Sequence, residues 1–81
     1  MEDKTRLFKL VSNDNMEVHK LLVEVYNALK ERGYNPVDQI VGYLISGDLG
    51  YISSYHDARS KIKTIDRSKM VEVLLLNFLN K

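Results

Sequence analysis

Eighty-one residues make one domain near the lower limit for a self-sufficient core, so a core shared between copies is a natural supplement. Twelve Lys and Arg against eleven Asp and Glu leave a net charge of +1, which gives no general pull toward nucleic acid or acidic membrane. The absence of cysteine excludes disulfides, thiol catalysis and Cys-based zinc sites, and two histidines, His19 and His56, are too few for a His-rich metal site. No apolar run reaches about 18 residues, and the opening Met1-Glu2-Asp3-Lys4-Thr5 is not the start of a signal peptide. These features predict a soluble cytoplasmic protein without membrane insertion.

Residues 1–13 read as a flexible N-terminal tail with no firm helical period, although Leu7, Phe8, Leu10 and Val11 suit a brief docked segment. Asp14-Asn15-Met16-Glu17 has the D-x-x-E form of a capping box and opens a helical, dimerising domain over 14–81. Val18, Leu21, Leu22, Val25, Tyr26 and Leu29 then recur at three- and four-residue spacing. That spacing predicts an amphipathic helix ending near Arg32, with Gly33 free to take the left-handed conformation that closes it.

Asn35 and Pro36 are a cap and a first-turn residue, and Val37, Ile40, Val41, Leu44 and Ile45 give a short helix stopped by Gly47. Tyr51 and Ile52 are expected to anchor the loop that follows. Ser53 or Ser54 is placed to cap a third helix running to Ile65, with Ala58, Ile62 and Ile65 facing inward. Asp66 caps the last helix, 67–80, whose stretch from Met70 to Leu79 is apolar nearly all round. Such a helix must be covered on every side, which points to a symmetric homodimer or to a central helix wrapped by the other three. The expected fold class is all-α, a compact bundle of about four helices.

From His56 to Lys69 five Lys/Arg stand against two Asp, a local excess of three. Arg59, Lys63 and Arg67 fall at i, i+4, i+8 and line one face if the helix stays regular past Ile65. This is either a docking face for an acidic partner, a phosphate or nucleic acid, or a solvated face with pairs such as Asp57 with Lys61. A helix-turn-helix with 54–65 as recognition helix is a further reading, but the near-neutral charge and long turn argue against nucleic acid. His56 and Asp57 are sequence neighbours whose side chains diverge by about 100° on a helix, so they make no acid–base dyad. His19 lies between apolar faces as a surface or half-buried residue, and Tyr34, Tyr43 and Tyr51 read as packing anchors. No nucleophile, phosphate loop or paired acids complete an enzyme. Thr5, between Lys4 and Arg6, is open to a kinase, and a phosphate there would add roughly −1.5 to −2 charge.

The block Gly33-Tyr34-Asn35-Pro36-Val37-Asp38-Gln39-Ile40-Val41-Gly42-Tyr43-Leu44-Ile45-Ser46-Gly47-Asp48 closely resembles the IreB/ReoM family of small proteins from Gram-positive bacteria. The likeness extends through Tyr51-Ile52, Asp57-Ala58-Arg59 and Arg67 to the last helix, and back over Val25-Tyr26 and Leu29-Lys30. The resemblance implies a compact helical homodimer without cofactor, a regulator of envelope homeostasis and a substrate of the Ser/Thr kinase bearing PASTA domains. It further implies a role in Clp-dependent turnover of the first committed enzyme of peptidoglycan synthesis, and hence in tolerance of cell-wall antibiotics. The implied partners are a Clp protease adaptor or that peptidoglycan-precursor enzyme. Thr5, followed by Phe8, matches the family's phosphoacceptor, and Arg59, Lys63 and Arg67 match a basic surface, with Lys63 in place of an arginine. The usual Gly-Asp-Pro-Ala-Tyr turn is Gly47-Asp48-Leu49-Gly50-Tyr51 here, and Ser53-Ser54 replaces a proline-basic pair.

Overall fold

The structure is a computed structural model that describes residues 4–80, with side chains described from Asn15 onward. Four helices follow in order: α1 Lys4–Glu31, α2 Pro36–Ser46, α3 Ala58–Ile62 and α4 Arg67–Leu79, with 3-10 turns at Leu49–Tyr51 and Tyr55–Asp57. The described residues contain no strand, so the all-α expectation with four helices holds.

α1 departs from expectation at its start. It extends back to Lys4, so the D-x-x-E spacing at Asp14 lies within a helix and has no terminus to cap. No glycine or proline interrupts residues 4–31, and Leu7, Leu10 and Val11 continue the helical spacing that leads to Val18. At about 1.5 Å per residue the helix spans most of the molecule's 47 Å long axis. Its inner stripe, Val18, Leu21, Val25, Ala28 and Leu29, is buried.

Gly33 closes α1 at φ +83°, with the Tyr34 N–H donating back to the Leu29 carbonyl at 3.1 Å. Asn35, in extended conformation, accepts from the Asp38 N–H at 3.2 Å and starts α2 with Pro36 in its first turn. α2 ends at Gly47, φ +75°, whose N–H donates to the Tyr43 carbonyl at 2.7 Å. Both ends therefore agree with the sequence reading. Its face does not. Tyr43 is the buried residue and Ile40 and Leu44 are half-buried, while Val37, Val41 and Ile45 are exposed, Ile45 at 78 %. Tyr51 lies flat on Gly42, where an added Cβ would meet its ring at 2.5 Å. Gln39 secures the same turn by donating to the Tyr51 carbonyl at 2.9 Å. Tyr34, expected as an anchor, is exposed.

The expected third helix to Ile65 is broken at both ends. Ser53 Oγ accepts from the Tyr55 N–H at 3.0 Å, and His56 and Asp57 take left-handed φ of 52° and 59°. Local side-chain bonding of this kind competes with helix formation. Thr64 Oγ1 donates to the Lys61 carbonyl at 2.7 Å and closes the far end. A single recognition helix over 54–65 is thus not formed. The inner positions were nonetheless legible: Ala58 and Ile62 are buried and Ile65 is half-buried, and of the two residues expected to anchor the preceding loop Ile52 is fully buried while Tyr51 is exposed.

α4 begins after Asp66, which is extended as a cap residue should be, but its side chain makes no cap bond. Met70 and Val73 are its buried residues, while Val71, Leu74, Leu75, Phe78 and Leu79 are exposed. α4 is therefore not a central helix wrapped by the other three. Removing buried volume at Ile62, which is fully enclosed, is expected to cost about 2–5 kcal/mol as Ile62→Ala, whereas Ile45→Ala on the exposed row changes monomer stability by about 0.5 kcal/mol or less. Urea titrations of the two variants test the contrast.

Candidate functional site

The basic residues between His56 and Lys69 do not line one helix. α3 stops at Ile62, Lys63 follows as its cap residue, and Arg67 opens α4 beyond the extended Asp66. Each cation has a different occupation. Arg59 Nε donates to the Ile52 carbonyl at 2.8 Å and ties α3 to the buried anchor of the loop. Lys61 Nζ lies 2.8 Å from Glu24 Oε2 and so pairs with α1 instead of with Asp57, the partner the spacing suggested. Lys69 pairs with Glu72 at 2.9 Å. Arg67 reaches backward and donates from Nη1 to the Leu44 carbonyl of α2 at 3.2 Å. Among the described residues, the side chain of Lys63 is the one of the five without a hydrogen bond or ion pair, and it is exposed.

A second cluster joins the end of α1 to the left-handed turn. Tyr55 Oη donates to Glu31 Oε1 at 3.4 Å, and His56 Nε2 stands 3.7 Å from the same oxygen. The Arg32 guanidinium sits 5.3 Å from the Tyr55 ring centre, within cation–π range. Tyr55 and His56 rings are 4.1 Å apart and tilted. His56 therefore packs against Tyr55 and Glu31 at the surface. His19 is exposed.

One concavity was not legible from the sequence. It is a groove of about 890 Å³ walled by α1, α2 and α4, with Leu22, Tyr26, Val41, Leu44 and Leu74 among its lining. At one end Asn77 Nδ2 donates to Asn15 Oδ1 at 2.7 Å, linking α4 to α1. Among the described residues its lining contains no Asp, Glu, Lys or Arg, and His19 is part of it. The hint was present as apolar residues on both faces of α2 and α4, which assign no single inner side. Among the described residues no group of acids and histidines could hold a metal ion, and no helix is long and apolar enough to cross a membrane.

Thr5 falls in the first turn of α1, and its side chain is outside the described set. The family model for the IreB regulatory phosphoprotein matches residues 3–80 of the chain. This chain belongs to the IreB family. A UPF0297 protein of Acetivibrio thermocellus is 46 % identical over 77 residues, covering 95 % of this chain and 86 % of that one. The match takes in α1 through α4, so the basic residues, the groove and Thr5 all lie within the IreB unit.

The Glu24–Lys61 pair gives a pH signature. Its hydrogen bond and charge attraction to Lys61, with a smaller contribution from Lys20, hold the Glu24 carboxyl below the ordinary glutamate value against the opposing effect of burial. A depressed folded pKa means that the stabilisation is complete above the unfolded value of about 4.3 and is lost as pH falls through the folded one. Glu24→Gln is expected to remove that part of the acid-side slope. Melting temperatures of both proteins from pH 6 down to about 3 should converge at the acid end.

Proposed function

We propose that this protein is a non-catalytic regulator of cell-envelope homeostasis, acting in the cytoplasm as a homodimer. A Ser/Thr kinase bearing PASTA domains phosphorylates Thr5. The unmodified protein modulates Clp-dependent turnover of a peptidoglycan-precursor enzyme, engaging the enzyme or a Clp adaptor through the surface of Arg59, Lys63 and Arg67. Phosphate on Thr5 then silences it by pairing with that surface within the dimer, through charge-assisted hydrogen bonds. The observation that carries this reading is the match to a regulatory phosphoprotein family over residues 3–80, a span that includes Thr5 and all three basic residues.

Self-association is supported by the apolar side chains of α2 and α4. Val37, Val41 and Ile45 on one helix and Leu74, Leu75, Phe78 and Leu79 on the other are exposed, and Val37, Val41 and Leu74 line the largely apolar groove. Contiguous apolar surface of this kind marks an interaction site. A two-fold dimer would cover these apolar residues of each copy with those of its partner.

Incubation with the PASTA kinase and site mapping should give stoichiometric label at Thr5, lost in Thr5→Ala; an unlabelled wild-type chain overturns the switch. The masking step fails if an Arg59→Ala, Lys63→Ala double variant is still silenced by phosphorylation. For the dimer, light scattering should give twice the 9.4 kDa chain mass, and Leu74→Glu in the groove should yield a folded monomer. A wild-type monomer at every soluble concentration removes the dimer.

A further inference from the structure

The position of Arg67 is electrostatically odd for its own helix. It occupies the first turn of α4, where the partial positive charge of the helix end disfavours a cation; that turn has no acidic residue, and the N-cap Asp66 before it makes no side-chain cap bond. Its guanidinium instead reaches the carboxyl end of α2, where a cation is favoured and carbonyls lack helical donors. The bookkeeping of those carbonyls leaves a place for it. Gly42 O accepts from Ser46 Oγ at 2.7 Å, Tyr43 O from the Gly47 N–H at 2.7 Å, and Leu44 O from Arg67 Nη1 at 3.2 Å.

Gly47 completes the seat. A Cβ there would lie 2.7 Å from Arg67 Cζ and 2.8 Å from Nη2, so the guanidinium rests on bare backbone. The glycine thus serves both the left-handed cap and the close approach of Arg67.

Leu44 has a second role: its side chain lines the apolar groove whose opposite wall is Val73, Leu74 and Asn77 of α4. We infer that Arg67 is a positioning residue, a clamp that holds the end of α2 to the start of α4 and thereby sets the groove between them. The basic surface and the groove share this residue, so they form one mechanical unit. A carboxylate or phosphate that takes the Nη1 donor of Arg67 competes with Leu44 for it, since charge-assisted hydrogen bonds outweigh those to a neutral carbonyl, whereas one bound through the remaining N–H groups leaves the clamp in place. The inference rests on the proposed basic docking surface only for that competition; the clamp itself is a property of the isolated chain.

The test is amide exchange and methyl NMR on the full chain. Arg67→Ala should speed exchange of the Gly47 amide about tenfold, a local opening of the α2 end, and shift the methyls of Val41, Leu44 and Leu74. Arg67→Lys, which keeps a donor and a charge, should restore part of both, and Lys63→Ala should change neither. Groove methyls and Gly47 exchange that respond to Arg67→Ala no more than to Lys63→Ala overturn the clamp. Should Arg67→Ala not fold, the wild-type protein decides: the Arg67 guanidinium nitrogens must show slowed rotation about Nε–Cζ, and rotation as fast as in free arginine overturns it. None of these readouts requires kinase, partner or dimer, so failure of the regulatory reading leaves them interpretable.

Discussion

One stripe of α1 organises the chain, because a domain of this size has a single element long enough to touch all the others. Val18, Leu21, Val25, Ala28 and Leu29 are buried together, and Tyr43, Ile52, Ala58, Ile62, Met70 and Val73 are the residues that later segments contribute to the same cluster. Each later segment thus supplies one or two residues, which is too few to fix its orientation by hydrophobic contact alone. Apolar burial is non-directional, so orientation must come from hydrogen bonds and ion pairs with defined geometry. Tertiary polar contacts in this molecule fall where that need arises: Glu24 to Lys61 between α1 and α3, Asn15 to Asn77 between α1 and α4, and Leu44 to Arg67 between α2 and α4.

The same constraint explains why a charge-rich segment carries little free charge. Four of the five cations between residues 56 and 69 are engaged with a carboxylate or a backbone carbonyl. Exposed ion pairs contribute little stability each, but arginine adds directional donors that can satisfy the carbonyls left open where helices and loops end. Arg59 and Arg67 both do this, and each retains further N–H groups on its guanidinium beyond the donor it uses. A lysine at either place could not hold a carbonyl and keep a planar fork for an acidic group. Lys63, with no carbonyl to hold, has no need of the fork.

What was legible in the sequence follows from how local its cause is. Asn35, Pro36 and Gly47 act through their own backbone conformations and a bond three or four residues away, so α2 could be bounded to the residue. The α1 stripe was legible because its period is sustained over many turns. The break at His56 and Asp57 was not, because Ser53 reads equally well as the cap of a continuous helix and as the acceptor of the Tyr55 N–H that competes with one, and the contacts of Tyr55 with Glu31 and Arg32 lie more than twenty positions back. The start of α1 was misplaced for the opposite reason, a local signal with more than one meaning: D-x-x-E at Asp14 suits a cap or a polar helix face equally well. The arginines were picked out by their spacing on a helix that does not form, and their real partners are carbonyls, which no side-chain pattern reveals. Arg67 did carry a readable anomaly in its cationic place at a helix start.

The outward row of α2 calls for a cause beyond the monomer. Val37, Val41 and Ile45 are β-branched, and such residues are weaker helix formers than leucine, alanine or the long polar residues usual on solvated faces. They contribute nothing to the core, since each is largely exposed, and α2 is already stabilised by caps at both ends. Stiff β-branched side chains have an advantage where they are to be buried, because fewer rotamers are surrendered on contact. They follow one another at i, i+4, i+8, with Val37 and Val41 on the wall of the largely apolar groove and Ile45 continuing the row. In the proposed dimer this exposed apolar wall is the surface that a second copy covers. On that proposal association accounts for the poor local propensity of the stripe, and the caps at both ends of α2 hold the helix that bears it in the single chain.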